Sequence, residues 1–335
     1  MACVRALVLA LLALALSAPA AGALDLHAHR GGNLANGKPT QLENALSTFK
    51  TAPKRGADVV ELDVHVSKDG VPFVMHDGTL DRTTDCEGPV ADATAAKLGS
   101  CHIDSLGNAD VFKSAPGSKE PIPRLAEVLR WAKSSGARLN IEINHYPNEP
   151  SFDTTDSFVK AELDTIDKSG ISKSKVLMQS FLPANLDPAK ARGYTTALIT
   201  FQGANAQALS LAKSGGYPVL EPQWPVTDAA GFVRAAHAAG RKVLPYTLDE
   251  RADVMNARAA GVDGMITDDL PLARAALRCY AADVKYRAAA RKLAAAKAAA
   301  KRAKGRDAKK RAAKRVRAAE RVVSAARRAR SKACA

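Results

Sequence analysis

The chain has 335 residues, enough for one large α/β barrel or two ordinary domains. Its formal charge of +15 is not spread evenly, which excludes a uniformly basic protein: from Tyr280 to the end there are 20 Lys and Arg against three acids, and the remainder carries 29 against 31. A near-neutral body carries a strongly cationic tail, and the two need separate explanations.

Residues 1–23 hold one cation (Arg5), an apolar run over 6–16 and an Ala21-Gly22-Ala23 exit. That order predicts a secretory signal peptide cleaved after Ala23, with Ala20 as the alternative. The run is short for a membrane span, and no stop-transfer charges follow it. The expected organisation is a signal peptide at 1–23, a catalytic body at 24–278 and a basic helical tail at 279–335. Secretion, with the mature chain outside the cell or on its surface, permits disulfides. Cys3 leaves with the signal. Cys86, Cys101, Cys279 and Cys334 remain, and proximity in sequence suggests Cys86–Cys101 and Cys279–Cys334. No C-x-x-C pair points to zinc.

In the body, 24–32 starts as a short strand and ends in a glycine turn. Leu42, Ala45, Leu46 and Phe49 sit at helical spacing and predict a helix over 41–54. A buried strand follows over 57–64, then Asp69-Gly70 marks a hairpin turn and 71–75 the return strand. Residues 78–121 show little periodicity and read as a long excursion stapled by Cys86 and Cys101. Helices are then expected at 125–134, 155–169, 183–192, 205–214, 227–239, 252–260 and 271–278. Strands are expected at 138–144, 175–179, 195–200, 217–221, 242–247 and 264–267. Eight strands alternating with helices predict a parallel sheet closed as a TIM (β/α)8 barrel, with a small insertion after the second-strand hairpin. No Gly-rich dinucleotide fingerprint follows a strand, which disfavours an open doubly wound sheet.

Chemistry concentrates at strand ends, where such barrels keep their sites. Along 57–64 side chains alternate faces, so Glu61 and Asp63 point the same way. Two adjacent carboxylates repel unless a cation or proton lies between them. The return strand brings His76 and Asp77 back beside them. Glu142 sits at the end of the third strand and His29 at the end of the first. Two acids with an imidazole on adjoining strand ends are the parts of a metal-assisted acid–base site.

His29-Arg30-Gly31, Glu43-Asn44, Glu61-x-Asp63 and His76-Asp77 together resemble the glycerophosphodiester phosphodiesterase family, a branch of the phosphatidylinositol phospholipase C-like barrels. Glu142 in IEIN, Gln179-Ser180-Phe181, and the run from Gly261 to Asp268 match further, so the resemblance covers about 24–277. It implies a TIM barrel, a divalent cation, and hydrolysis of glycerophosphodiesters to glycerol 3-phosphate and an alcohol, in which the substrate's own glycerol hydroxyl can attack phosphorus first. There are three departures from the family pattern: Leu42 and Ala45 flank Glu43-Asn44, Asn144 replaces a lysine, and Tyr246 replaces a tryptophan.

Glu61, Asp63 and Glu142 are hard oxygen ligands suited to Mg²⁺ or Ca²⁺. His29 and His76 form the expected acid–base pair, His29 as base and His76 as acid. Arg30 is expected on a phosphate oxygen, in a salt bridge to Glu43, or both. Phe181, Trp224 and Tyr246 follow strands and are candidate walls of the alcohol pocket, and His27 is a bystander on the strand face of His29.

The tail is mostly Ala, Lys and Arg, all strong helix formers, broken near its centre at Gly305. The half-way break and the flanking cysteines predict a helical hairpin stapled at its base. Its expected partners are anionic cell-surface polymers or lipid headgroups. It lacks the aromatic interleaving of a sequence-specific nucleic-acid reader. Two further functions compete with the first: a phospholipase D or sphingomyelinase D-like enzyme on intact lipids, which needs an apolar rim, and a non-enzymatic anionic-surface-binding protein.

Overall fold

The structure is a computed structural model and describes residues 24–104, 119–147, 152 and 155–335. The expected signal peptide, and 105–118 of the excursion, lie outside the described residues.

Eight parallel strands form the body: β1 Asp25–Ala28, β2 Val59–Val66, β3 Leu139–Ile143, β4 Val176–Ser180, β5 Thr195–Thr200, β6 Val219–Pro222, β7 Lys242–Val243 and β8 Gly264–Thr267. They pair in the order β7-β6-β5-β4-β3-β2-β1-β8. The remaining seam is joined by backbone bonds from Asp263 N to Val243 O (2.9 Å) and Ile266 N to Pro245 O (3.0 Å). This is the expected TIM barrel. Helices α1 Leu46–Arg55, α2 Leu125–Ser135, α3 Ser157–Ser169, α4 Pro183–Ala191, α5 Asn205–Gly215, α6 Ala229–Ala238, α7 Arg251–Ala260 and α8 Leu270–Arg302 follow the strands around the outside.

The alternation in β2 explains its two jobs. Val60, Leu62 and Val64 turn outward into the main core, on the side of Phe49 and Ala52 of α1 and Leu163 and Ile166 of α3. Each such side chain contributes about 1.5–3 kcal/mol on burial. Glu61, Asp63 and His65, one residue out of phase, are left on the other face and are also buried. The Pro72–Val74 strand returns antiparallel on β2, with His65 opposite Phe73. The excursion has its own cluster, built from Leu42, Phe73, Leu80, Leu98, Ile103 and Ile122. Cys86 is bonded to Cys101 at its edge.

Two elements differ from their expected bounds for physical reasons. α1 begins at Leu46, not at 41, because Asn44 is left-handed (φ 53°) and its N–H donates to Arg30 O at 2.9 Å. The expected seventh strand over 242–247 shrinks to two residues, because Pro245 has no N–H to give the ladder.

The last barrel helix does not stop at 278. α8 runs on for 33 residues in all, turns at Gly305, and returns as α9 Arg306–Cys334, whose Cys334 is bonded to Cys279. Among the buried and half-buried positions of the pair, one run on each helix follows a 4-3 spacing: Tyr286, Ala289, Leu293 and Ala296 on one helix, Val316, Ala319, Val323 and Ala326 on the other. That is the seam of an antiparallel coiled coil, made narrow by alanine.

Candidate active site

The register of the barrel assembles the acidic centre. Asp63 on β2 pairs with Glu142 on β3, and Glu142 with Gln179 on β4, so these three side chains share one rung at the carboxyl ends of the strands. Glu61 lies one rung deeper. One oxygen each from Glu61, Asp63 and Glu142 lies within 4.8 Å of the others. Gln179 Nε2 donates to Glu61 (2.9 Å) and Glu142 (3.0 Å). Asn44 Nδ2 donates to Asp63 at 2.8 Å, Tyr146 Oη donates to Glu142 at 2.9 Å, and the Arg30 backbone N–H donates to Glu61 at 2.6 Å.

These carboxylates are held in unequal states. Burial, with Asp63 beside it, raises Glu61 well above the usual carboxylate range. The same two causes push Glu142 up to about 7. Burial also opposes ionisation of Asp63, yet His76, Arg30 and His29 outweigh it and hold Asp63 down at about 2. Three clustered acids of which two resist ionisation are a site that gains by taking up a cation. Their donors are all hard oxygens, which fits Mg²⁺ or Ca²⁺.

A histidine stands on either side, each held by an aspartate. His29 Nδ1 bonds Asp268 Oδ1 at 2.9 Å, at the end of β8. A carboxylate only accepts, so Nδ1 carries the proton and Nε2 is turned elsewhere. Burial works against a charged imidazole there, but Asp268 prevails and raises His29 to about 9. His76 Nδ1 bonds Asp77 Oδ1 at 2.7 Å. Arg82 then grips Asp77 through Nε (2.6 Å) and Glu43 through Nη2 (2.7 Å). Glu43 also accepts from Arg30 Nη1 at 3.4 Å.

A cavity of about 90 Å³ opens onto this centre, bordered by His29, Arg30, His76, Glu142, Phe181 and Tyr246 among others. Phe181 meets Tyr246 edge-on, with centroids 6.3 Å apart, and stacks on Phe201 at 4.5 Å. Trp224 is not on this cavity. It packs against the main core. Glu43 sits behind Arg30 rather than on the cavity. His27 is buried deeper in the barrel near Asn140, where burial lowers it to about 4.

A model of the glycerophosphoryl diester phosphodiesterase family matches residues 29–272. The chain belongs to that family. It is therefore a phosphoric diester hydrolase, and the reading as a non-enzymatic binding protein falls. A glycerophosphodiester phosphodiesterase of Caldanaerobacter subterraneus is 30% identical over 232 residues, 68% of this chain and 88% of that protein. The glycerophosphodiester phosphodiesterase structure from Agrobacterium tumefaciens has a TM-score of 0.57 at 25% identity, over 75% of this chain and 99% of that one. A phosphodiesterase from Oleispira antarctica, solved with the product sn-glycerol-3-phosphate, shares the fold: TM-score 0.62 at 22% identity, over 76% of this chain and 96% of that one.

Around the phosphodiesterase centre several side chains escaped the sequence reading. Arg82 lies in the aperiodic excursion, where nothing in the sequence marks it. Asp268 stood inside a matched motif, at the end of a strand, and that position was its signal. Asp249 accepts from Thr267 Oγ1 (2.9 Å) and the Asp268 N–H (2.8 Å), a third layer behind His29. Asn144 donates to Asp63 at 3.3 Å, so the residue in place of lysine supports the acids.

Proposed function

We propose that this phosphodiesterase is a secreted, cation-dependent enzyme that hydrolyses glycerophosphodiesters to glycerol 3-phosphate and an alcohol. The observation that carries the proposal is one arrangement: three clustered carboxylates flanked by two histidines, each with Nδ1 fixed on an aspartate, all at one cavity. The product held by the Oleispira relative supports the same substrate class.

Glu61, Asp63 and Glu142 would hold Mg²⁺ or Ca²⁺. When bound, the cation supplies positive charge against the charge that grows on the phosphate. Arg30, buried and already facing Asp63 and Glu43, adds a guanidinium to the same end of the cavity. His29, protonated up to about pH 9, is suited to give its Nε2 proton to the leaving alkoxide. His76 is then the base that takes the proton of the attacking hydroxyl. This order reverses the expectation from sequence, and Asp268 is the reason. Phe181 and Tyr246 wall the alcohol side, where the product alcohol leaves. The two disulfides suit an oxidising compartment, and among the described residues no helix is long and apolar enough to cross a membrane. The cationic tail retains the secreted enzyme at an anionic cell surface.

A second substrate class, intact lipid, has one observation in its favour: Phe201, stacked on Phe181 of the cavity wall, is 65% exposed, an apolar surface the sequence did not show. One assay separates the two. Glycerophosphocholine, lysophosphatidylcholine and sphingomyelin are each incubated with enzyme, with and without EDTA. Glycerol 3-phosphate released from the first alone, and lost with chelator, is expected. Faster turnover of either lipid moves the assignment to the second class, and full activity in EDTA removes the cation.

A further inference from the structure

The stalk formed by α8 and α9 points away from the active site. α8 leaves the barrel at the carboxyl end of β8, beside Asp268, and runs antiparallel to the strands. By Tyr280 and Val284 it has reached a groove bordered by the strand starts Asp25, Leu139 and Val219. The helix then continues to Arg302, a further 18 residues or about 27 Å past the amino-terminal face.

Its charge is dense and outward. Between Asp283 and Arg330 there are 19 Lys and Arg against Asp283, Asp307 and Glu320, a net +16. Every one of these cations is exposed. Only Arg287 and Arg330, on Asp283, and Lys297, on Glu320, form ion pairs among the described residues. Spread over about 30 Å, this is one positive charge per about 2 Å, near the density of one phosphate per about 1.7 Å on duplex DNA. The cations surround the stalk on every side except the narrow alanine seam. A flat bilayer meets one side only, and the stalk offers it little apolar surface: Val284 and Val322 are its only exposed large hydrophobics among the described residues. A flexible chain can follow all sides. Arg outnumbers Lys eight to four along α9, which suits the two-pronged grip of guanidinium on phosphate.

We infer that the stalk binds a flexible linear polymer with a phosphate in each repeat, by counterion release, and holds the enzyme with its cavity facing away from that polymer. The inference deepens the tether role proposed for the tail. It makes a tethered enzyme open to small diffusing diesters while it stays bound.

The test uses the mature full-length protein and a fluorescein-labelled 30-unit abasic phosphodiester oligomer, titrated by anisotropy at 50–300 mM KCl. Log affinity is expected to fall with log salt with a slope of about −4 or steeper, since each neutralised phosphate adds roughly −0.7 on a single strand. A variant with Lys309, Lys310, Arg311, Lys314, Arg315 and Arg317 each changed to Gln leaves the seam intact. It should lose at least tenfold in affinity at 150 mM, with a flatter slope and unchanged glycerophosphocholine hydrolysis. A slope near zero, or undiminished binding by the variant, overturns the inference. So does tighter binding to phosphatidylglycerol vesicles, which assigns the stalk to a membrane, or to a 30-base-pair duplex, which assigns it to nucleic acid. Competitive inhibition of hydrolysis by the oligomer overturns the orientation. No hydrolysis by the wild type, with the steep slope retained, sinks the catalytic proposal and leaves the tether standing.

Discussion

His29 owes its proton to Asp268. Without that carboxylate, burial and the Arg30 charge work against the protonated imidazole, with Glu61 opposing them, so its value falls from about 9. Asp268→Asn is therefore expected to lower kcat by at least about tenfold with KM little changed, because a positioning partner acts through the group it orients. The alkaline fall of the kcat/KM profile should move from near pH 9 to lower pH. A profile that keeps its alkaline limb shows that His29 is not the proton donor. At this scale the sequence was informative wherever a residue stood at a strand end: His29, Glu61, Asp63 and Glu142 could be read from position and chemistry. Arg82 could not, because its contacts to Asp77 and Glu43 depend on how an aperiodic segment folds back.

Among the elements, periodic stretches were legible and interrupted ones were not. β5 and β8 keep the bounds expected of them, 195–200 and 264–267. α1 loses the expected first turn because Glu43 and Asn44 are used by Arg82 and Asp63, and such long-range partners leave no local trace. The tail shows the reverse case. Tyr286, Leu293, Val316 and Val323 are few, yet their 4-3 spacing among alanines carries the coiled-coil seam. With so thin a seam, the Cys279–Cys334 bridge, which closes a loop of sequence separation 55, contributes about 2–4 kcal/mol to keeping the hairpin paired. Cys334→Ser should leave kcat/KM unchanged and expose α9 to trypsin, read as loss of the intact mass within minutes while the barrel survives. Equal resistance in both proteins means that the seam alone suffices.

For the whole molecule, the acidic centre ties stability to pH and to cations. The folded-state values of Glu61 and Glu142 lie above the ordinary value of 4.5, so the fold prefers these groups protonated. That preference costs stability as pH rises through the window from 4.5 to about 7, the folded value of Glu142. Asp63 has the opposite sign, and its contribution is lost only as pH falls from 3.8 through about 2. In EDTA the melting temperature should thus be higher at pH 5 than at pH 8. A cation competes with those protons, so Mg²⁺ or Ca²⁺ should raise it more at pH 8, where a hundredfold excess over Kd adds roughly 2.7 kcal/mol to the unfolding free energy. Equal gains at both pH values mean that the cation binds elsewhere. The barrel itself was legible from eight alternating units, whereas its closure around Pro245 by isolated backbone bonds was not.

One more consequence follows from Arg82, the side chain that clasps the partner of His76. It sits four residues before Cys86, in a segment fastened by the bridge to Cys101 and by the Asp104 N–H on Thr83 O. Oxidative maturation and catalytic competence are therefore coupled. Reduced protein is expected to be idle, with turnover rising as the bridge forms on oxidation. Refolding a Cys86→Ser variant and finding wild-type turnover would uncouple them.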